Sequence, residues 1–94
     1  MIEEIEFKEF KKLENALLID VREVSERNEK HIGGIHIPLA ELENNLDLID
    51  PNRPIVLYCK KGGRSLRAAQ LLAKHFPKTK FYSIRGGIEK TFVT

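Results

Sequence analysis

Ile55-Val56-Leu57-Tyr58-Cys59-Lys60-Lys61-Gly62-Gly63-Arg64-Ser65 is the stretch from which the fold can be read. Five residues from Ile55 to Cys59 are apolar or aromatic without a break, as in a strand covered on both faces. After the loop, Leu66, Ala69, Leu72 and Ala73 recur at helical spacing within Ser65–Lys74. A buried strand, a cationic loop and a helix therefore follow one another. Such a loop can turn several backbone N–H groups inward. Gly62 and Gly63 allow the backbone conformations this requires. The helix start adds partial positive charge, and Lys60, Lys61 and Arg64 add formal charge. Cys59, the only cysteine of the chain, is the first residue off the strand. A cysteine at a helix N-terminus beside cations is favoured as thiolate, so Cys59 reads as a nucleophile set to meet an anion. The plainer alternative is a small apolar residue closing a core strand. The coincidence of cysteine, glycines, cations and helix argues for the nucleophile.

At 94 residues the chain makes one domain, 1–94, with one core. Its 41% hydrophobic and 32% charged content fit a soluble globular protein. No apolar run nears the roughly 20 residues of a membrane helix. The acidic start, Met1 to Glu6, lacks the pattern of a signal peptide. One cysteine cannot make an internal disulfide, and without a His/Cys cluster no structural metal is expected. These features point to the cytoplasm. The net charge of +2 hides an asymmetry. Residues 1–50 hold 13 acids and 6 bases; residues 51–94 hold one acid and 10 bases. The surroundings of Cys59 are thus expected to be electropositive. That suits a small anionic substrate or an acidic protein partner ahead of nucleic acid. A merely solvated basic face is the alternative away from the loop.

The rest of the chain alternates strands and helices. Ile5-Glu6-Phe7 reads as a short edge strand. One or two helical turns follow within Glu9–Asn15, with Phe10 and Leu13 inward. Ala16-Leu17-Leu18-Ile19-Asp20 is a second buried parallel strand closed by a carboxylate. Ligand sites in open α/β sheets gather beyond the carboxyl ends of strands, so Asp20 and Cys59 share one edge. Asp20 either supports that site or ties a loop through backbone N–H groups. Arg22 either pairs with an acid or reaches the anion. Glu23–Lys30 has no apolar stripe and reads as a loop or short exposed helix. Gly33-Gly34 marks a turn and Ile35-His36-Ile37 a short strand. Pro38 opens a helix near 39–47 with Leu39, Leu42 and Leu46 on one face. His31 and His36 read as locally bonded rather than as a base for Cys59. His75-Phe76-Pro77 ends the long helix. Phe81-Tyr82-Ser83-Ile84 is a further strand, and Arg85-Gly86-Gly87-Ile88 leads to a last helical segment with Phe92 as a core anchor. This pattern predicts a mostly parallel α/β sheet with helices on both sides.

Four segments together resemble a single-domain rhodanese. They are Leu18-Ile19-Asp20-Val21-Arg22-Glu23, His31 to Pro38, Tyr58 to Ser65, and Arg85-Gly86-Gly87-Ile88. The resemblance spans essentially the whole chain. It implies a single rhodanese-like domain with a five-stranded, mostly parallel sheet flanked by helices on both sides. It also implies sulfurtransferase activity without metal or organic cofactor. By that resemblance Cys59 accepts a sulfane sulfur from thiosulfate, polysulfide or another persulfide and passes it to a thiophilic acceptor. Lys60, Lys61, Gly62, Gly63 and Arg64 are implied to form the persulfide-stabilising loop. Asp20 and Arg22 match the family's Asp-x-Arg segment near the site. Lys30 stands where the family often has glycine. Two rivals remain from the residues alone. A cysteine phosphatase needs arginine one residue further on, where Ser65 stands. A binding module or sulfur relay would serve a protein partner with little small-molecule turnover.

Overall fold

The computed structural model describes residues 2–91; Phe92, expected as a core anchor, lies outside them. Five strands form, β1 (Ile2–Ile5), β2 (Leu17–Asp20), β3 (Ile35–His36), β4 (Ile55–Tyr58) and β5 (Phe81–Ile84). Four α-helices separate or follow them, α1 (Phe7–Phe10), α2 (Val24–Glu29), α3 (Gly63–His75) and α4 (Gly87–Thr91). The strands make one sheet in the order β1-β5-β4-β2-β3, and every pairing is parallel. All four residues of β4, at the centre, are fully buried. This is why its sequence is an unbroken apolar run rather than an alternation.

Alternation returns when the faces are separated. Ile19, Ile55, Leu57 and Cys59 pack with Ala68, Ala69 and Leu72 of α3 on one face. Leu18, Val56, Tyr58, Tyr82 and Ile84 pack with Phe7, Phe10 and Ile88 on the other. Helices therefore cover both sides, as the sequence pattern predicts. Tyr58 and Cys59, adjacent in sequence, point to opposite faces.

Three elements differ from expectation. The edge strand is Ile2–Ile5, not Ile5–Phe7, and the first helix is Phe7–Phe10, starting before Glu9. The apolar face at Leu39, Leu42 and Leu46 exists, but its backbone is two 3₁₀ segments, Leu39–Asn44 and Leu46–Leu48, and not a helix over 39–47. The break is at Asn45, whose φ of −130° leaves the helical region. Three-residue spacing from Leu39 to Leu42 also fits a three-residue turn as well as an α-turn. Glu23–Lys30 yields α2, with no buried residue, capped by a reciprocal Glu23/Glu26 box. Among the described residues no helix is long and apolar enough to cross a membrane.

Candidate active site

At the carboxyl end of β4 the backbone leaves the sheet at Cys59, which is a free thiol and fully buried. The carbonyl of Cys59 accepts the Ile88 amide at 2.8 Å, and that of Lys60 accepts the Glu89 amide at 3.0 Å. The start of α4 thus holds the loop's first carbonyls away from the sulfur. Gly87 makes this approach possible, because a Cβ there would collide with both carbonyl oxygens. The loop then turns at Gly62, whose φ of 111° suits glycine. Two amides reach Cys59 Sγ, those of Gly62 at 3.1 Å and Ser65 at 3.3 Å. The amides of residues 60, 61, 63 and 64 find no acceptor within the protein among the described residues. They are left for solvent or a bound anion. Gly63, expected to share the special backbone of the loop, is instead the ordinary first residue of α3, with open space where a Cβ would stand.

The charges fall differently from the sequence expectation. Lys60 and Lys61 are exposed, but the guanidinium of Arg64 grips Glu26 in a two-pronged pair at 2.7 and 2.8 Å. The Arg64 hydrogen bonds hold Glu26 at a pKa of about 2. Glu26 in turn keeps Arg64 charged, and the Cys59 sulfur adds to that field. Beside the loop lies a cleft of about 380 Å³. Its walls carry Arg22, Lys30 and Lys60, but also Glu26, Glu29 and Glu89. The mouth is therefore of mixed charge, not the basic surface expected, because α2 and α4 bring carboxylates to it.

Asp20 and Arg22 form a unit of their own. Asp20, fully buried, accepts the Arg22 amide at 3.0 Å, Arg22 Nε at 2.9 Å and Arg22 Nη2 at 3.0 Å. The Tyr58 hydroxyl donates to it at 3.1 Å and Arg27 pairs with it at 3.4 Å. Burial works to raise the pKa of Asp20, but the Arg22 hydrogen bonds and charge outweigh it and hold the carboxyl low. Burial and the Asp20 charge push the Tyr58 phenol up. Asp20 is in register with Tyr58, so its side chain shares the Tyr58 face. Asp20 and Cys59 thus share an edge of the sheet but not a face. Asp20 ties down the segment after β3's partner strand: Arg22 Nη2 bonds the Lys30 carbonyl at 2.7 Å, and Arg27 the Gly34 carbonyl at 2.9 Å.

Of the two histidines near the glycine turn, only His31 bonds locally; His36 bonds backbone 14 residues away. His31 Nδ1 accepts the Gly33 amide at 2.9 Å, and His36 Nε2 donates to the Arg22 carbonyl at 2.7 Å. Among the described residues no group of three His, Cys, Asp or Glu side chains could hold a metal ion. Sequence reasoning missed Glu26, Tyr58 and the buried hydroxyls of Ser65 and Ser83. Glu26 meets Arg64 across 38 residues, and no local pattern signals that pairing. Ser65 lies in the loop stretch itself, but no local pattern places its hydroxyl against Ser83.

Thiosulfate sulfurtransferase GlpE of Coxiella burnetii is 32% identical over 89 residues, covering 94% of this chain and 82% of GlpE. An uncharacterized protein of Bacillus subtilis, YqhL, is 43% identical over 76 residues, 80% of this chain. This chain spans 60% of YqhL's length. The crystal structure of reduced Bacillus anthracis CoADR-RHD superposes with a TM-score of 0.83 at 30% identity. That match covers 94% of this chain and 16% of the larger one. The family model of the rhodanese-like domain matches residues 5–92, and the chain belongs to that family.

Proposed function

We propose that this protein is a sulfurtransferase that carries sulfane sulfur as a persulfide on Cys59. The observation that carries the reading is the pair of backbone amides, Gly62 and Ser65, donated to Cys59 Sγ at 3.1 and 3.3 Å. Fixed donors of this kind stabilise a charge without reorganising when it forms. In the first half-reaction the Cys59 thiolate attacks the outer sulfur of thiosulfate or a polysulfide. The S–S bond breaks, and its electron pair leaves with sulfite or the shortened polysulfide. The new terminal sulfur then carries the charge, and the amides of residues 60, 61, 63 and 64 are available to it. In the second half-reaction a thiophilic acceptor takes that sulfur and Cys59 Sγ departs as thiolate. Lys60 and Lys61 supply positive charge at the loop, and Arg64 does so only against Glu26. Asp20, from the opposite sheet face, holds Arg22, which lines the cleft beside the loop. The chemistry calls for no cofactor, and a single working thiol suits the reducing cytoplasm.

Glu26, Glu29 and Glu89 at the cleft favour a second reading, because they oppose capture of an inorganic dianion. In it, Cys59 is a relay loaded by the persulfide of a protein partner. Intact-protein mass measurement decides between them. Incubation with thiosulfate, and separately with polysulfide, should add one sulfur atom. Cyanide should remove it, and Cys59→Ser should never gain it while keeping the wild-type fold. Loading by neither donor, but by a persulfidated protein, would select the relay. A serine variant that still turned over would end both readings.

A further inference from the structure

Behind the loop lies a pair of hydroxyls that the transfer steps above do not use. Ser65 Oγ, fully buried in the first turn of α3, lies 3.5 Å from Cys59 Sγ and 3.1 Å from the Gly62 carbonyl oxygen. It lies 2.6 Å from Ser83 Oγ, on β5, which is also fully buried. A serine hydroxyl has one proton to donate and two lone pairs to accept with. Among the described residues the Ser83 hydroxyl bonds only to Ser65, so its proton points at Ser65 Oγ. When Cys59 is a thiol, its S–H fills the second lone pair of Ser65, and the Ser65 proton goes to the Gly62 carbonyl. When Cys59 is a thiolate, that S–H is gone and Sγ is an acceptor. The Ser65 proton can then turn from Gly62 O to Sγ. Nothing is orphaned by the turn, because Gly62 O also accepts the Leu66 amide at 3.1 Å and Ser65 Oγ keeps the Ser83 proton.

We propose that Ser65 is a two-position donor serving Cys59 Sγ whenever that atom carries charge, and that Ser83 is the positioning residue that holds it. The timing rests on the sulfur-carrier reading. Charge sits on Sγ before loading and again during transfer. In transfer the acceptor's lone pair bonds the terminal sulfur, the Sγ–S bond breaks, and its electron pair goes to Sγ. Between these moments the charge is on the terminal sulfur, and the Ser65 proton returns to Gly62 O. A backbone amide cannot change its aim in this way, whereas a hydroxyl does so by one torsion. The charged groups around the loop are Lys60, Lys61 and Arg64 on the loop itself, Arg22, Glu26, Glu29 and Lys30 across the cleft, and Glu89 and Lys90 on α4. Replacing either serine by alanine alters none of them.

Cys59 is the only thiol in the chain, so alkylation by iodoacetamide reports on it alone, whether or not it transfers sulfur. The experiment is the alkylation rate against pH, paired with the ultraviolet absorbance of the thiolate. Ser65→Ala should move the midpoint up by about one pH unit, or about tenfold less thiolate below both midpoints. Ser83→Ala should move it in the same direction by roughly half as much, since it removes only the group that holds and polarises Ser65. Ser83→Thr, which keeps the hydroxyl on a strand, should return it to the wild-type value. An unmoved midpoint in folded Ser65→Ala overturns the proposal, and one in folded Ser83→Ala overturns the positioning role. If Ser65→Ala does not fold, Ser83→Ala decides alone. Persulfide loading of the wild type, read by mass in parallel, keeps the two ideas separate. An unmoved midpoint with normal loading sinks only the hydroxyl switch, and shifted midpoints without any loading sink only the sulfur-carrier reading.

Discussion

Asp20→Ala should be among the most damaging single changes in this chain. The lost carboxylate takes three hydrogen bonds from Arg22 and one from Tyr58, all at 2.9 to 3.1 Å, and is fully buried. Truncation leaves the Arg22 guanidinium, itself only 3% exposed, with the Lys30 carbonyl and no hydrogen-bonded carboxylate. Removing one partner of a buried pair costs about 3–5 kcal/mol. A 94-residue domain has roughly 5–14 kcal/mol in all. At about 4–8 °C per kcal/mol for this size, the melting midpoint should fall by at least about 12 °C. The cause is an uncompensated charge, so removing both charges should hurt less than the sum of the single losses. Urea denaturation of the wild type, Asp20→Leu, Arg22→Leu and the double variant forms the cycle that measures this. Single losses that simply add, or an Asp20→Ala loss below about 1 kcal/mol, would refute the buried unit. The carboxylate lies on the sheet face opposite Cys59 Sγ. Well below the midpoint, alkylation of Cys59 in Asp20→Ala should therefore stay within about twofold of wild type. A much larger fall would give Asp20 a direct part in the sulfur site.

Two further changes test the loop's supports. Glu26 has its pKa lowered to about 2 by Arg64, so its contribution is complete above the ordinary carboxylate range and is lost as pH falls from about 4.5 toward 2. Glu26→Gln should cost about 1 kcal/mol at neutral pH, since the pair is partly exposed, and should flatten stability across that acid window. Acid unfolding curves that keep their wild-type slope there would contradict the pairing. Gly87→Ala puts a Cβ against the Cys59 and Lys60 carbonyls at a φ of 62°. It should cost about 1–3 kcal/mol and slow Cys59 alkylation by displacing the loop. Unchanged melting and alkylation would show that α4 does not set the loop.

What the sequence discloses here depends on how local the physics is. β2, β4 and β5 were legible because a parallel strand buried on both faces is an unbroken apolar run, and α3 because Ala69, Leu72 and Ala73 repeat at its period. The cysteine loop was legible because strand, turn and helix start are contiguous. The 3₁₀ segments were not, since Leu39 and Leu42 face the core in either kind of helix. Strand register lies beyond local pattern altogether. Asp20 and Cys59 both end buried strands, yet Asp20 aligns with Tyr58 and so turns away from the sulfur. Ser83 reads as an ordinary polar residue in a strand until α3 brings Ser65 to within 2.6 Å of it.

Charge shows most clearly how topology overrides a linear reading. Acids crowd the first half of the chain and bases the second. The sheet order β1-β5-β4-β2-β3, however, sets the two strands of the second half between those of the first. Acids from one half therefore meet bases from the other: Glu26 with Arg64, and Glu6 with Arg85 and Lys90. The surface near Cys59 is of mixed charge, and its cleft carries three carboxylates beside three cations. On the proposed sulfur-carrier reading, long-range steering of an anionic donor is then weak, and capture would rest on short-range amide donors, which salt screens little. The rate at which thiosulfate or polysulfide loads Cys59 should accordingly change by less than about threefold between low and physiological ionic strength. Loading that fell tenfold or more over that interval would mean the cations dominate the mouth, and that the Glu26–Arg64 pair opens when the donor arrives.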